Sequence, residues 1–69
     1  MSLAAPIQPL VRRAILDLIL DVGGESNDDV VTILLAELGH RVARSDVRTE
    51  LEWLREAGLV KIEQSGAYL

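Results

Sequence analysis

The side chains that most often perform catalysis or bind metals are scarce in this sequence. His40 is the only histidine and there is no cysteine, so a zinc site or a catalytic triad lacks its usual ligands and nucleophiles. Two carboxylate pairs remain, Asp28 with Asp29 and Asp17 with Asp21, but carboxylates are common at helix starts and on exposed helix faces. His40 follows a helix-ending glycine, where a capping role is the simpler interpretation. We expect no catalytic residues, no metal ligands and no cofactor, and we predict that the protein is not an enzyme.

The composition predicts one small domain with an aliphatic core. The 69 residues include one tryptophan, one tyrosine and no phenylalanine, so leucine, valine, isoleucine and alanine must fill the interior. We expect a single domain over residues 1–69, with an N-terminal arm at residues 1–8. The absence of cysteine fits a reducing compartment, and no segment approaches the roughly 18 apolar residues of a membrane span. We therefore expect a cytoplasmic protein without a membrane partner.

Charge is distributed unevenly along the chain. The formal net charge is −4, which argues against a strong general binder of nucleic acid. Residues 1–38 carry two basic residues against six acidic ones, whereas residues 39–62 carry five basic residues against four acidic ones. The second half is therefore the part of the chain that is better suited to an anionic partner.

Hydrophobic spacing predicts a first helix from near Pro9 to the glycine pair at residues 23–24, because proline suits the first helical turn and glycine ends helices. The residues with helical spacing that should face the core are Leu10, Val11, Ala14, Ile15, Leu18 and Val22. Leu16, Ile19 and Leu20 widen this apolar stripe beyond what one core needs. Two interpretations stay open: a more fully buried central helix, or a dimer interface formed by these three residues.

Capping signals predict two further helices. The second helix starts where Ser26 and Asp29 have the spacing of a capping box, and it stops at Gly39. The third helix is predicted to begin at Ser45, whose hydroxyl can cap it, and to end at Gly58. Its core positions are Val47, Leu51 and Leu54.

After the third helix, the pattern changes to the alternation that is typical of strands. Residues 59–63 predict one strand, residues 64–66 a turn and residues 67–69 a return strand. The resulting hairpin should pack on the helices, as an isolated two-stranded hairpin is only marginally stable. Trp53 is interpreted as a packing residue at the core edge rather than a stacking platform for a base or a partner. The predicted fold class is mainly α with a small β-hairpin.

The order of helix, capped helix, turn, amphipathic helix, Gly-Leu-Val and hairpin resembles the winged-helix-turn-helix superfamily of bacterial and phage regulators. Residues 47–60 look like its recognition helix running into the first wing strand. More narrowly, Gly-His-Arg-Val at residues 39–42, with Val-Arg at 47–48 and Leu-Glu-Trp-Leu at 51–54, is similar to small winged-helix proteins of Mu-like prophages, which are often labelled ArsR-like regulators. No ArsR-type metal site carries over, because the cysteines are absent. The implied fold is three helices plus a two-stranded wing.

The resemblance implies that the N-terminal half of the third helix reads bases in the major groove and that the wing contacts the DNA backbone or the minor groove. The residues nominated for DNA contact are Ser45, Arg48, Thr49 and Glu52 on the helix, Arg41, Arg44 and Lys61 as phosphate ligands, and Gln64 and Ser65 in the wing. The implied function is a phage or prophage-type transcriptional regulator that binds duplex DNA as a homodimer.

Several features favour a different use of the same fold. The net charge is negative, the first helix has surplus apolar residues, and the turn across residues 39–47 is about two residues longer than the tight turn of a helix-turn-helix. Glu50 and Glu56 also offer carboxylates at helical spacing. Pairing with these carboxylates would weaken phosphate binding by Arg48 and Arg55. The alternative function is a non-catalytic protein-interaction module for phage assembly or morphogenesis, with another phage protein as its partner.

Overall fold

Three helices and three short strands make up the part of the chain that the computed structural model describes, residues 3–63 and 66–69. In chain order they are α1 (Gln8–Asp21), β1 (Glu25–Asn27), α2 (Asp28–Glu37), α3 (Arg44–Glu56), β2 (Lys61–Glu63) and β3 (Gly66–Tyr68). The mainly helical architecture with a small antiparallel sheet agrees with the prediction. Within the described residues, no helix combines the length and the hydropathy needed to cross a membrane.

The sheet contains three strands, whereas the sequence predicts two. β3 lies in the centre and pairs antiparallel with both β1 and β2. Ala67 stands opposite Ser26 on one side and opposite Ile62 on the other. The sequence does not predict β1, because Glu25–Asn27 is short and polar and lacks the apolar alternation of a half-buried strand. Its pairing with β3 fixes the chain where it enters α2.

α1 buries a row of residues spaced by four: Val11, Ile15 and Ile19. Leu10 and Val22 were expected to face the core, but both are exposed. Apolar residues are so frequent on this helix that spacing alone permits two overlapping stripes. Packing against α2 and α3 selects the stripe that includes Ile19.

The burial of Ile19 corrects the predicted dimer interface on α1. A fully buried side chain cannot face a second subunit, so Ile19 belongs to the core of the single chain. Leu16 is half-buried and packs against the same core, in agreement with the interpretation of a more fully buried helix. Of the three residues, Leu20 is the exposed one, at 65% of its possible surface.

The caps of α2 and α3 differ by a residue or two from the predicted ones. Asn27 caps α2, and its Oδ1 accepts a hydrogen bond from a backbone N–H of the first turn at 2.9 Å. Ser26 is instead part of β1, where its extended backbone pairs with β3. α3 begins after Ala43, whose backbone N–H donates to Asp46 Oδ2 at 3.3 Å. Ser45 therefore lies within the first turn of α3 and does not cap it.

Glycines end α2 and α3, as predicted. Gly39 has a φ of +92° and Gly58 a φ of +79°, in the left-handed region that glycine adopts without steric cost. After Gly39, the His40 backbone N–H donates to the Leu35 carbonyl at 2.8 Å and so closes the end of α2. His40 thus takes part in ending the helix through its backbone.

The core is aliphatic, as the composition predicts. The buried residues that form it are Val11, Ile15, Ile19, Val31, Leu35, Val47, Leu51, Leu54, Val60 and Ala67. Those from α3 confirm the predicted core face of that helix. Val42 packs against the core from the loop that precedes α3. The opposite side of α3 is consequently left free for polar side chains.

Candidate nucleic-acid interface

Asp28, the first residue of α2, bridges two arginines of α3. Its Oδ1 accepts a hydrogen bond from Arg44 Nη2 at 3.1 Å, and its Oδ2 accepts one from Arg48 Nε at 2.5 Å. Arg44 and Arg48 are four residues apart, so they lie on the same side of α3. The Asn27 cap sets where α2 begins and thereby places Asp28 opposite that side. We call this group of three residues, Asp28, Arg44 and Arg48, the Asp28 clamp.

The Asp28 carboxylate is ionised near neutral pH. The hydrogen bond from Arg44, followed by that from Arg48, lowers the pKa of Asp28 from 3.8 to about 2. The same contact with Asp28 raises the pKa of Arg44. The Asp28 side chain is 16% exposed, whereas those of Arg44 and Arg48 are 51% and 61% exposed. The two arginines remain open to an anion from solvent, although one carboxylate already offsets part of their charge.

A cleft of about 370 Å³ lies between the Asp28 clamp and the sheet. Its walls combine the charged side chains of α2 and α3 with apolar ones from α3, β2 and β3. The lining residues are Asp28, Arg44, Arg48, Leu51, Glu52, Ile62, Gly66 and Ala67. A surface with cations at its rim and an apolar wall suits the phosphates and sugars of a nucleic-acid backbone, which present both kinds of surface.

Five of the residues predicted for DNA contact share the outer side of α3. Arg44, Arg48 and Glu52 line the cleft. Ser45 and Thr49 are exposed on the same helix. The Thr49 hydroxyl donates to the Ser45 carbonyl at 3.0 Å, which holds that side chain along the helix while its oxygen stays able to accept a hydrogen bond.

The remaining predicted residues lie away from the cleft or outside the described chain. Arg41 is exposed in the loop before α3, and Lys61 is exposed at the start of β2. Neither residue lines the cleft. Gln64 and Ser65 lie outside the described residues. The structure therefore brings the helix residues together and leaves Arg41 and Lys61 out of the lining of the cleft.

The ion pairs on α3 differ from those that helical spacing suggests. Arg55 Nε donates to Glu52 Oε1 at 2.8 Å, which lowers the pKa of Glu52 and raises the pKa of Arg55. Arg48 bonds to α2 instead of to a neighbour on its own helix. The expectation that Glu50 and Glu56 pair with Arg48 and Arg55 is therefore wrong. Glu50 cannot reach Arg48 because it points into the protein.

A buried ion pair between α1 and α3 was missed by sequence reasoning. Glu50 is 1% exposed, and its Oε1 accepts a hydrogen bond from Arg12 Nε at 2.6 Å. The Arg12 guanidinium also lies 3.8 Å from the centre of the Trp53 ring. Trp53 is itself exposed, so it supports Arg12 at the surface and is not the core-edge residue that was expected. One signal was available, because Glu50 follows Val47 by three residues and precedes Leu54 by four, which is core spacing.

Comparisons with known proteins give two relatives of unknown activity. No protein-family model matches the sequence, and no solved structure matches it. An uncharacterized protein of Haemophilus influenzae is 36% identical over 53 residues, which are 77% of this chain and 52% of that protein. The uncharacterized protein gp26 of Escherichia phage Mu is 36% identical over 52 residues, which are 75% of this chain and 54% of that protein. The chain thus spans about half the length of the curated relatives that it matches.

Proposed function

We propose that this chain is a non-catalytic winged-helix module that binds duplex DNA in the cytoplasm, as part of a phage-type transcriptional regulator. The observation that carries the proposal is the exposed side of α3, which presents Arg44, Arg48 and Thr49 beside the cleft. The order of elements, with a helix pair followed by an antiparallel strand pair, is compatible with a helix-turn-helix that is extended by a wing. Net charge does not favour the proposal, so binding must depend on this local group of cations.

In this proposal, the N-terminal half of α3 enters the major groove. Arg48 donates two hydrogen bonds to guanine O6 and N7, which is the commonest specific contact between a side chain and a base. Glu52 accepts a hydrogen bond from cytosine N4, and the hydroxyls of Ser45 and Thr49 contact base edges. These four side chains would carry the sequence preference.

Phosphate contacts would orient the helix in the groove. Arg44 binds a phosphate next to the bases read by α3, and Arg41 binds another from the preceding loop. Lys61, at the start of β2, contacts the backbone on the far side of the groove. These contacts position the protein without reading sequence.

Similarity to gp26 of phage Mu supports a phage origin for this chain. A homodimer would place two copies of α3 in successive major grooves. Leu20 is exposed on α1 and Leu16 is half-buried beside it, so these side chains are available for a two-fold contact. In the proposed dimer they take the place that Ile19 cannot take.

A fluorescence anisotropy titration of duplex DNA at low salt tests the proposal. We expect salt-sensitive binding that Arg48→Ala weakens about tenfold or more, because a bidentate arginine–guanine contact is worth about 1–3 kcal/mol. Arg13→Ala is a matched control, since it removes the same charge from an exposed arginine on α1 that is paired with Asp17. The control should change affinity by less than about twofold. Absence of binding by the wild type, or an equal effect of both substitutions, contradicts the proposal.

A protein-interaction module of a phage is the second candidate function. Large apolar side chains are exposed on α1, on α2 and directly after α2, namely Leu10, Leu20, Ile33 and Leu38. Apolar exposure of this kind is typical of protein interfaces when the residues form one patch. Sedimentation of the wild type and of Leu20→Glu, beside the DNA titration, separates the two functions. Self-association that the substitution abolishes, without affinity for duplex DNA, favours the interaction module.

A further inference from the structure

The Asp28 clamp has the geometry of an anion site that is already filled. Each oxygen of the Asp28 carboxylate accepts a hydrogen bond from a different guanidinium group. Guanidinium groups bind carboxylates and phosphates in the same way, through N–H groups directed at two oxygens. Asp28 therefore occupies on both arginines the N–H groups that an acceptor oxygen of DNA would need.

The backbone next to Asp28 is held by contacts of the preceding residue. Asn27, the residue before it, pairs with Gly66 in the sheet and caps α2. The carboxylate can leave the two arginines by rotation of its own side-chain bonds, without displacing the helix. The arginines are the more exposed members of the clamp, and the cleft beside them admits a ligand from solvent.

We propose that Asp28 is a built-in competitor for DNA, which holds Arg44 and Arg48 in the free protein and must be displaced before Arg44 binds a phosphate and Arg48 binds a guanine. This inference rests on the proposed function. Every duplex must displace the same carboxylate, so the competition lowers affinity for all sequences by the same factor. Stable binding is then confined to sites where base contacts by α3 add to the phosphate contacts.

Asp28→Asn tests the competition directly in the anisotropy titration with duplex DNA. Removing the charged competitor should raise affinity about tenfold, because a carboxylate kept beside a phosphate is repelled by it. The salt dependence of log K should steepen by about one, because the freed Arg44 neutralises one more phosphate charge. The matched control is Asp29→Asn, which removes the same charge from the next residue of the same helical turn. Asp29 is exposed, and its loss should raise affinity by less than about twofold.

The possible results distinguish a failure of the inferred competition by Asp28 from a failure of the proposed DNA-binding function. Tighter binding by Asp28→Asn than by Asp29→Asn supports the inference, including the case in which the wild type binds too weakly to measure. Equal affinity of the two variants, while Arg48→Ala still weakens the wild type, overturns the inference and leaves the proposed function in place. Absence of duplex binding by the wild type and by Asp28→Asn overturns both. If the asparagine variant melts early, Asp28→Ser replaces it, because serine suits a helix start.

Discussion

Within the described residues, α3 forms arginine–carboxylate ion pairs with both helices beside it, one pair with α1 and two with α2. The contact with α1 joins Arg12 to Glu50, and the carboxylate there is almost wholly buried beneath an arginine that is stacked on Trp53. The contact with α2 is the Asp28 clamp, whose arginines are more than half exposed. The same pair of chemical groups is thus found once inside the protein and once at its surface.

Burial decides what each contact can do. A buried carboxylate that loses its arginine is left without water or another cation, so the pair between α1 and α3 is a structural link that does not open. The arginines of the Asp28 clamp are open to water and are hydrated at little cost when the carboxylate moves away, so the clamp can exchange its anion. The difference explains why only the second contact is a candidate for binding.

The largest expected effect is on the buried pair. Arg12→Ala leaves Glu50 buried and unpaired, and should lower the free energy of unfolding by about 3–5 kcal/mol. Urea unfolding followed by circular dichroism measures the loss. Arg13→Ala is the control from an exposed ion pair on the same helix, and should cost less than about 1 kcal/mol. Similar losses in both variants would remove the distinction between buried and exposed pairs.

A smaller effect is expected from the aromatic support of Arg12. Trp53→Leu removes the ring that the guanidinium contacts, whereas Trp53→Phe keeps an aromatic face. The leucine variant should be less stable than the phenylalanine variant by about 0.5–1 kcal/mol, which is the usual strength of an exposed cation–π contact. Equal unfolding free energies of the two variants would show that the ring contributes only apolar area.

The smallest effect on stability is expected at Asp28, and it depends on pH. The folded pKa of about 2 lies below the ordinary value of 3.8, so the ionised carboxylate stabilises the fold above about pH 4. This contribution is lost as the pH falls from about 4 toward about 2. The difference in unfolding free energy between the wild type and Asp28→Asn should be under about 1 kcal/mol at neutral pH and should shrink across that window. A difference that is constant with pH would contradict the assigned contacts.

Features with a local cause could be predicted from the sequence, and features that depend on distant residues could not. The stops at Gly39 and Gly58 follow from glycine conformation, and the core face of α3 follows from helical spacing. β1 could not be predicted, because its three polar residues form a strand only through pairing with β3.

In the candidate site, too, contacts between residues that are distant in the sequence could not be predicted. Its arginines on α3 could be nominated from a resemblance in sequence. Their partner could not, since Asp28 lies 16 residues before Arg44 and 20 before Arg48, and its position suggests only a favourable helix start. The burial of Glu50 could not be predicted with the other core positions of α3, because a charged residue is ordinarily assigned to solvent.

The central position of β3 has a consequence for how the chain folds. Both pairings of the sheet use Gly66–Tyr68, and its partner β1 lies before α2 and α3 in the chain. Neither outer strand can be paired until this segment has left the ribosome, and the longer pairing must close a loop around two helices. We expect the three helices to collapse first and the sheet to join them late, so that the entry to α2 becomes fixed only in the last step of folding.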